Sequence, residues 1–183
     1  MKKLGLLGHP VSHSMSPKLF ADQFSKSGRL DLEYLAYDLP EISDFKTFTA
    51  NNPDIVALNV TIPHKESILP YLSEIDEEAK AIGAVNTLFK AEGKWKGYNT
   101  DGWGFRRSMQ PFLRGRHERA LIFGTGGAAK AVAYSLKLLG VACYFVSRTP
   151  DKKRDISNVI GFDELTPEAI KHHLLLINCT PLG

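Results

Sequence analysis

Two cysteines in 183 residues, Cys143 and Cys179, leave almost no material for a disulfide framework or a cysteine-based metal site. Both stand in apolar runs, "VACYFV" and "LLINCT", the setting of buried reduced thiols and of a cytoplasmic protein. Long hydrophobic runs are also missing. No stretch approaches the roughly 20 apolar residues of a membrane helix, and the segment behind Lys2 and Lys3, "LGLLG", is too short for a secretory signal. Nor is there an excess of one charge: the net value of +3 is too small and too evenly spread to indicate nucleic acid or a membrane surface. Repeats and low-complexity segments are absent. What is present is 43% hydrophobic and 23% charged residues, the profile of a globular protein with room for one large domain or two small ones. Small molecules are the default partners, and no metal site is expected.

The first half alternates strands and helices. "LGLLG" reads as a strand, "PKLFADQFSKSG" as a helix closed by Gly28, "LEYLAYDL" as a strand, "ISDFKTFTANN" as a helix and "DIVALNVTI" as a strand. A helix over "SILPYLSEIDEEAKAIG" follows, and then a hairpin of "AVNTLFK" and "KWKGYNT" joined through "AEG". From Asp101 a helix, "GWGFRRSMQPFL", and a basic link, "RGRHER", separate this half from the next, with the helix belonging to both parts. The expected division is a first domain over 1–101, a connecting helix and linker over 102–118, and a second domain over 119–183 that is incomplete for a nucleotide-binding sheet.

The second half opens on "RALIFGTGGAAKAVAYSLKLLG", a strand, a glycine turn and a helix. The turn fits G-x-G-x-x-G/A, with Gly124, Gly126 and Ala129 in the special positions and Thr125, Gly127 and Ala128 between them. Gly124 permits the tight turn, Gly126 lets a pyrophosphate approach the backbone, and Ala129 keeps the helix close to the strand. The helix N–H groups then face the phosphates. A tight turn that binds nothing is the alternative. About twenty residues on, where an NAD site has Asp or Glu, stand Ser147, Arg148 and Thr149, with Lys152, Lys153 and Arg154 behind them. A guanidinium clamps a 2′-phosphate that a carboxylate would repel, so NADP is expected over NAD. A solvated basic loop is the plainer account of the same residues.

Polar residues gather where apolar strands end. Alternation in "ALNVTIPHK" puts Asn59 and Thr61 on one strand face and Val60 and Ile62 on the other, with Lys65 just beyond Pro63. Asn86 lies within the apolar strand "GAVNTLF", and "GYNTDGWGF" brings Asp101 to a helix start. "HPVSHSMSPKLF" crowds Ser14 and Ser16 at the mouth of the first helix. Singly, the two asparagines are equally core amides, Lys65 a surface lysine, and Asp101 and Ser16 helix N-caps. Together they lie where open α/β sheets put their ligands.

Taken as a set, "GHPVSHSMSP", "NVTIPHK", "GAVNT", "YNTDGWG", "GTGGAA", "SRT" and "INCTPLG" resemble the shikimate dehydrogenase family across the whole chain. The fold this implies is α/β: an N-terminal mixed α/β substrate domain followed by an NAD(P)-binding Rossmann domain, here truncated at its C-terminal side, with the active site in the cleft between them. The activity implied is reversible reduction of 3-dehydroshikimate to shikimate by NADPH, in aromatic amino-acid biosynthesis. By the same resemblance Lys65 and Asp101 match the catalytic pair. Ser14, Ser16, Asn59, Thr61 and Asn86 match substrate-binding positions, the two serines serving the carboxylate.

On the cofactor side the resemblance assigns Gly124, Thr125, Gly126, Gly127, Ala128 and Ala129 to the pyrophosphate, Ser147, Arg148, Thr149 and Lys152 to the adenosine phosphate, and Thr180 of "NCTPLG" to the ribose and nicotinamide side. The family often has Asn where this chain has Ser147. It also continues into further strands and C-terminal helices that supply a Tyr and a Gln to the site. The partners expected are a small-molecule substrate and NADP, with the protein a monomer or homodimer. Two other readings stand beside this one, a quinate/shikimate dehydrogenase and a non-catalytic NADP-binding module.

Overall fold

The short apolar runs, punctuated by glycine and proline, become strands in the computed structural model, which describes residues 1–152 and 156–182. The chain divides into two units, Met1–Asn99 and Thr100–Gly183, each with its own sheet and core.

The first unit runs β1 (Lys2–Gly8), α1 (Ser16–Lys26), β2 (Leu32–Asp38), α2 (Phe45–Asn51), β3 (Ile55–Val60), α3 (His64–Ser67), β4 (Glu74–Ile75), α4 (Glu77–Ile82), β5 (Thr87–Ala91) and β6 (Lys94–Tyr98). Its six strands lie in the order β2-β1-β3-β5-β6-β4. Parallel pairs join β2, β1 and β3, and β4 and β6, whereas β5 runs against both its neighbours. The C-terminal ends of β1, β3 and β6 therefore share one sheet edge with the N-terminal end of β5. One face of the sheet packs Leu7, Phe45, Ile55, Leu58, Val60, Ile68, Val85, Leu88 and Trp95 into the main core. The other face sets Leu6, Val11 and Tyr34 beneath Phe20 and Phe24 of α1.

Three local expectations are corrected. The single helix expected over "SILPYLSEIDEEAKAIG" is broken: a 3-10 turn at Leu69–Tyr71 and the short β4 precede α4. Pro70 has no N–H to continue a helix, and Asp76 starts a new one by accepting the Glu78 amide at 3.1 Å. Gly83, at φ 74°, closes it. The strand over "DIVALNVTI" stops at Val60, leaving Thr61 and Ile62 in the turn beyond it, and Asn86 stands just before β5 rather than within it. The expected N-caps are displaced as well. Ser16 and Asp101 are first-turn helix residues, and it is Ser14 whose Oγ accepts the Ser16 amide, at 3.2 Å.

The second unit runs α5 (Thr100–Met109), β7 (Arg119–Phe123), α6 (Gly127–Leu138), β8 (Ala142–Ser147), β9 (Val159–Gly161), α7 (Pro167–Lys171) and β10 (Leu175–Asn178). The helix expected to link the two parts packs here, where the Ser135 hydroxyl on α6 donates to the Gly102 carbonyl at 2.7 Å. The strands are parallel throughout, in the order β10-β7-β8-β9. In chain order within this unit that is 4-1-2-3, half of a doubly wound sheet. Ala120, Ile122, Ala129, Val132, Leu136 and Phe145 form its core. Strand β9 has no counterpart in the sequence reading, being three residues long and preceded by a polar stretch. Cys143 and Cys179 are free and half-buried, and burial pushes the Cys143 thiol up to about 11. Among the described residues no helix is long and apolar enough to cross a membrane.

Leu88 is fully buried opposite Leu58 in the β3–β5 pair. Its truncation in Leu88→Ala is expected to cost about 2–5 kcal/mol, read as a lower urea midpoint in the fluorescence of the buried Trp95.

Candidate active site

The shared sheet edge of the first unit gathers the polar residues singled out in the sequence. Val60 N donates to the Asn86 carbonyl at 2.8 Å, and Asn86 N to the Tyr98 carbonyl at 3.0 Å, so the backbone of Asn86 is tied to both β3 and β6. Thr61 N donates to the Leu7 carbonyl at 2.9 Å, and the Thr61 carbonyl accepts His64 N at 2.9 Å. These bonds turn the chain sharply from β3 into α3. Gly8 faces that turn without room for a side chain, since a Cβ there would lie 2.4 Å from the Thr61 methyl.

Lys65 is held from two sides. The adjacent His64 is buried, and its Nε2 lies 2.6 Å from the Leu39 carbonyl, an acceptor that requires the ring to donate there. From the other side Val85 N donates to the Lys65 carbonyl at 2.8 Å, one residue before Asn86. The half-buried Lys65 is thus fixed in its backbone by the end of β2 and by the entry to β5.

Side chains continue the pattern. The Tyr34 hydroxyl donates to Asn59 Oδ1 at 2.8 Å, and Asn59 Nδ2 donates to Thr87 Oγ1 at 3.4 Å. Thr87 Oγ1 in turn donates to Asn86 Oδ1 at 3.0 Å. Burial pushes the Tyr34 phenol up to about 12, and a hydrogen bond with the Ser16 side chain works against that rise. The structure therefore brings Ser14, Ser16, Asn59 and Asn86 into one connected set and adds two members, Tyr34 and Thr87. Tyr34 lies in the apolar strand "LEYLAYDL" with no local mark of a site. Thr87 carried a usable signal, since it follows Asn86 directly in "GAVNT". Asp101 stands in the second unit, second residue of α5 and half-buried.

In the second unit Gly124 follows β7 at φ 105°, a conformation that favours glycine. A Cβ there would also come 3.0 Å from the Cys179 carbonyl, so the turn after β7 and the loop after β10 lie against each other. Strands leave β7 in opposite directions at this point, the place where such sheets take ligands. Gly126 N-caps α6 without any side-chain hydrogen bond, and a Cβ on it would meet nothing within 4 Å. The first-turn amides of α6 are open to an anion, with no acidic residue in that turn. Thr125 and Ala129 are buried, and Ala128 is exposed.

At the end of β8 the buried Ser147 accepts the Thr149 amide on its Oγ at 3.1 Å, which leaves Arg148 exposed at the head of the turn. Asn178 Oδ1 accepts both the amide and the hydroxyl of Thr180, at 2.9 and 2.8 Å. These features fit a dinucleotide with a 2′-phosphate: a bare helix start for the pyrophosphate, and a cation where a carboxylate would select NAD. The Lys152 side chain, Lys153 and Arg154, expected beside that phosphate, lie outside the described residues.

Residues 6–88 match the model of the shikimate dehydrogenase substrate binding domain. The whole chain is 41% identical to the NADP(+) shikimate dehydrogenase of Shouchella clausii, spanning 70% of that protein's length. The chain belongs to the shikimate dehydrogenase family. The Methanocaldococcus jannaschii relative is 47% identical over the whole chain, which spans 68% of that protein. Among solved structures, shikimate 5-dehydrogenase from Thermus thermophilus, in complex with NADP(H) and shikimate, superposes with a TM-score of 0.82 at 32% identity. That alignment takes in 98% of this chain and 69% of the Thermus one.

The burial of Tyr34 yields a titration that can be followed by ultraviolet absorbance. Its phenol is expected to ionise near 12, against an ordinary value of 10.0. Because the folded value is the higher, the unfolded chain loses its proton first, and this group's contribution to stability falls between pH 10 and about 12. Tyr34→Phe should remove this group's share of the high-pH step and leave that of Tyr37, whose phenol burial also raises.

Proposed function

We propose that this chain carries the activity of its family, the reversible NADPH-dependent reduction of 3-dehydroshikimate to shikimate. The observation that carries the reading is the convergence of Ser14, Ser16, Asn59, Thr61, Lys65 and Asn86 on one sheet edge of the first unit, in a chain whose second unit offers a dinucleotide turn. The complex of the Thermus relative with NADP(H) and shikimate supports the same pairing of ligands. A cytoplasmic setting belongs to this reading and is supported by the two free cysteines.

When bound, NADPH supplies hydride to the ketone carbon of the substrate. The chain's own residues deal with what that transfer creates, negative charge on the carbonyl oxygen. Lys65 faces this charge as an ammonium, stabilises it and delivers a proton to the oxygen, leaving a neutral amine to be recharged from solvent. Asp101 orients the substrate through its hydroxyls. Ser14 and Ser16 receive the carboxylate, while Asn86, its carbonyl engaged by Thr87, turns its NH₂ as donor to a substrate hydroxyl. Arg148, with Ser147 and Thr149, takes the 2′-phosphate of the cofactor.

Shikimate-dependent reduction of NADP⁺ by this chain, with NAD⁺ and quinate as controls, tests the reading. Lys65→Ala and Asp101→Asn are expected to lower turnover by about 10²–10⁴ with much smaller effects on binding. Near-normal turnover in either would remove that residue from the chemistry. Retained NADPH binding without any turnover by the unsubstituted chain would point to a non-catalytic binding module. Arg148→Ala should weaken NADP⁺ by roughly tenfold to a hundredfold, the worth of a charge-assisted contact, and leave NAD⁺ unaffected in a direct binding titration.

A further inference from the structure

Helix α6 buries Ala129, Ala131, Val132 and Leu136, and among these apolar residues stands Ser135, which has no exposed surface at all. An alanine would fill the same space and is the better helix former. The hydroxyl is therefore not needed for packing, and a buried hydroxyl is costly unless a partner satisfies it. A serine inside a helix commonly turns back to a carbonyl of its own preceding turn. Ser135 instead reaches across to α5, where it donates to the Gly102 carbonyl at 2.7 Å.

Gly102 is buried, lies in the first turn of α5 and directly follows Asp101. It has no side chain with which to key that turn into its surroundings. Farther along the helix Phe105 packs against the core of the second unit. An apolar contact of this kind fixes how deep a helix sits and only weakly fixes its rotation about its own axis, because dispersion is not directional. A hydrogen bond to a carbonyl is directional: one lone pair serves the amide four residues on, and the other takes a donor from the side. Rotation matters at Asp101, since turning a helix by about 10° moves a group about 6 Å from its axis by about 1 Å. A misplacement of that size is enough to lower a rate by about a hundredfold.

Ser135 also stands on the helix that opens at the dinucleotide turn, a little over two turns after Gly127, the first residue of α6. The turn offered to the cofactor and the turn that carries Asp101 are thereby referred to one rigid element within the second unit.

We propose that Ser135 is a positioning residue for Asp101: its hydroxyl, through the Gly102 carbonyl, sets the rotation of the first turn of α5 against α6. The inference rests on the reading that Asp101 orients the substrate. It assigns Ser135 no contact with substrate or cofactor.

The test is Ser135→Ala in the full chain, with steady-state kinetics for both substrates and a direct NADP⁺ binding titration. The expected result is a kcat lowered about tenfold, the scale of one lost buried hydrogen bond expressed in alignment, with the Kd for NADP⁺ within about twofold of the parent. In an Asp101→Asn background the same substitution should cost less than about twofold, because the group being aligned is already gone. An unchanged kcat overturns the proposal. So does a parallel loss of NADP⁺ affinity, the mark of a loosened second unit, and so does a full tenfold loss on top of Asp101→Asn. Ser135→Cys keeps the size of the side chain and offers a weaker donor, so its kcat should fall between parent and Ser135→Ala. Should Ser135→Ala fail to fold, the cysteine variant carries the test, and a parental kcat in it overturns the idea. Near-normal turnover in Asp101→Asn itself would remove the underlying reading and this inference with it, whereas a damaged Asp101→Asn beside a parental Ser135→Ala removes this inference alone.

Discussion

The pairing of Asn59 with Thr87 across β3 and β5 is the contact from which the substrate-side residues take their places. Strand β5 is the one strand of the first sheet that runs against both its neighbours, so it brings its beginning to the edge where β1, β3 and β6 bring their ends. That reversal sets Asn86 and Thr87 beside Asn59. The register is secured by the next rungs of the ladder, Leu58 with Leu88 and Ala57 with Phe89, of which the two leucines are fully buried. A slip of one residue would send Leu88 to the opposite face and Thr87 into the core, so burial of apolar surface dictates which polar groups meet.

The second unit reaches an equivalent result by a different rule. Its strands are all parallel, and position follows from the order in which they are added. Successive strands on one side of β7 and β10 on the other leave the turn at Gly124 and the loop at Asn178–Thr180 side by side. A Cβ on Gly124 would lie 3.0 Å from the Cys179 carbonyl, which together with the φ of 105° makes any side chain there crowded and strained. The glycine therefore serves the packing of two loops as well as the tightness of its own turn.

The glycine turn was legible in the sequence because strand, turn and helix follow in order and the spacing has a mechanical reason. The strands were legible for the same kind of reason, each being a short apolar run with a breaker at its end. Local geometry was less so. The break at Pro70 and the new start at Asp76 depend on β4 finding an edge on β6, a partner remote from any local window. Ser16 is not the N-cap because the helix begins one residue earlier than its proline suggests, which puts Met15 at that position without a side-chain cap and leaves Ser14 to accept the Ser16 amide. Tyr34 and Thr87 were hidden for another reason. Their significance lies in which strands are neighbours, and a tyrosine in an apolar strand has the same appearance whether its hydroxyl faces solvent or a row of amides.

Helix α1 carries Ser16, yet among the described α-helices of the first unit it alone buries no residue; α2 buries Phe45, α3 His64, and α4 Ala79 and Ile82. Its seat on the sheet is aromatic contact, chiefly Phe20 on Tyr34. Segments with so little buried surface open at a smaller free-energy cost than those rooted in a core. Lys65 and Asn86, pinned by backbone bonds to three strands or strand ends, belong to the rooted kind. The proposed substrate site consequently has one rooted side and one compliant side, and the compliant side is the one proposed to seat a carboxylate.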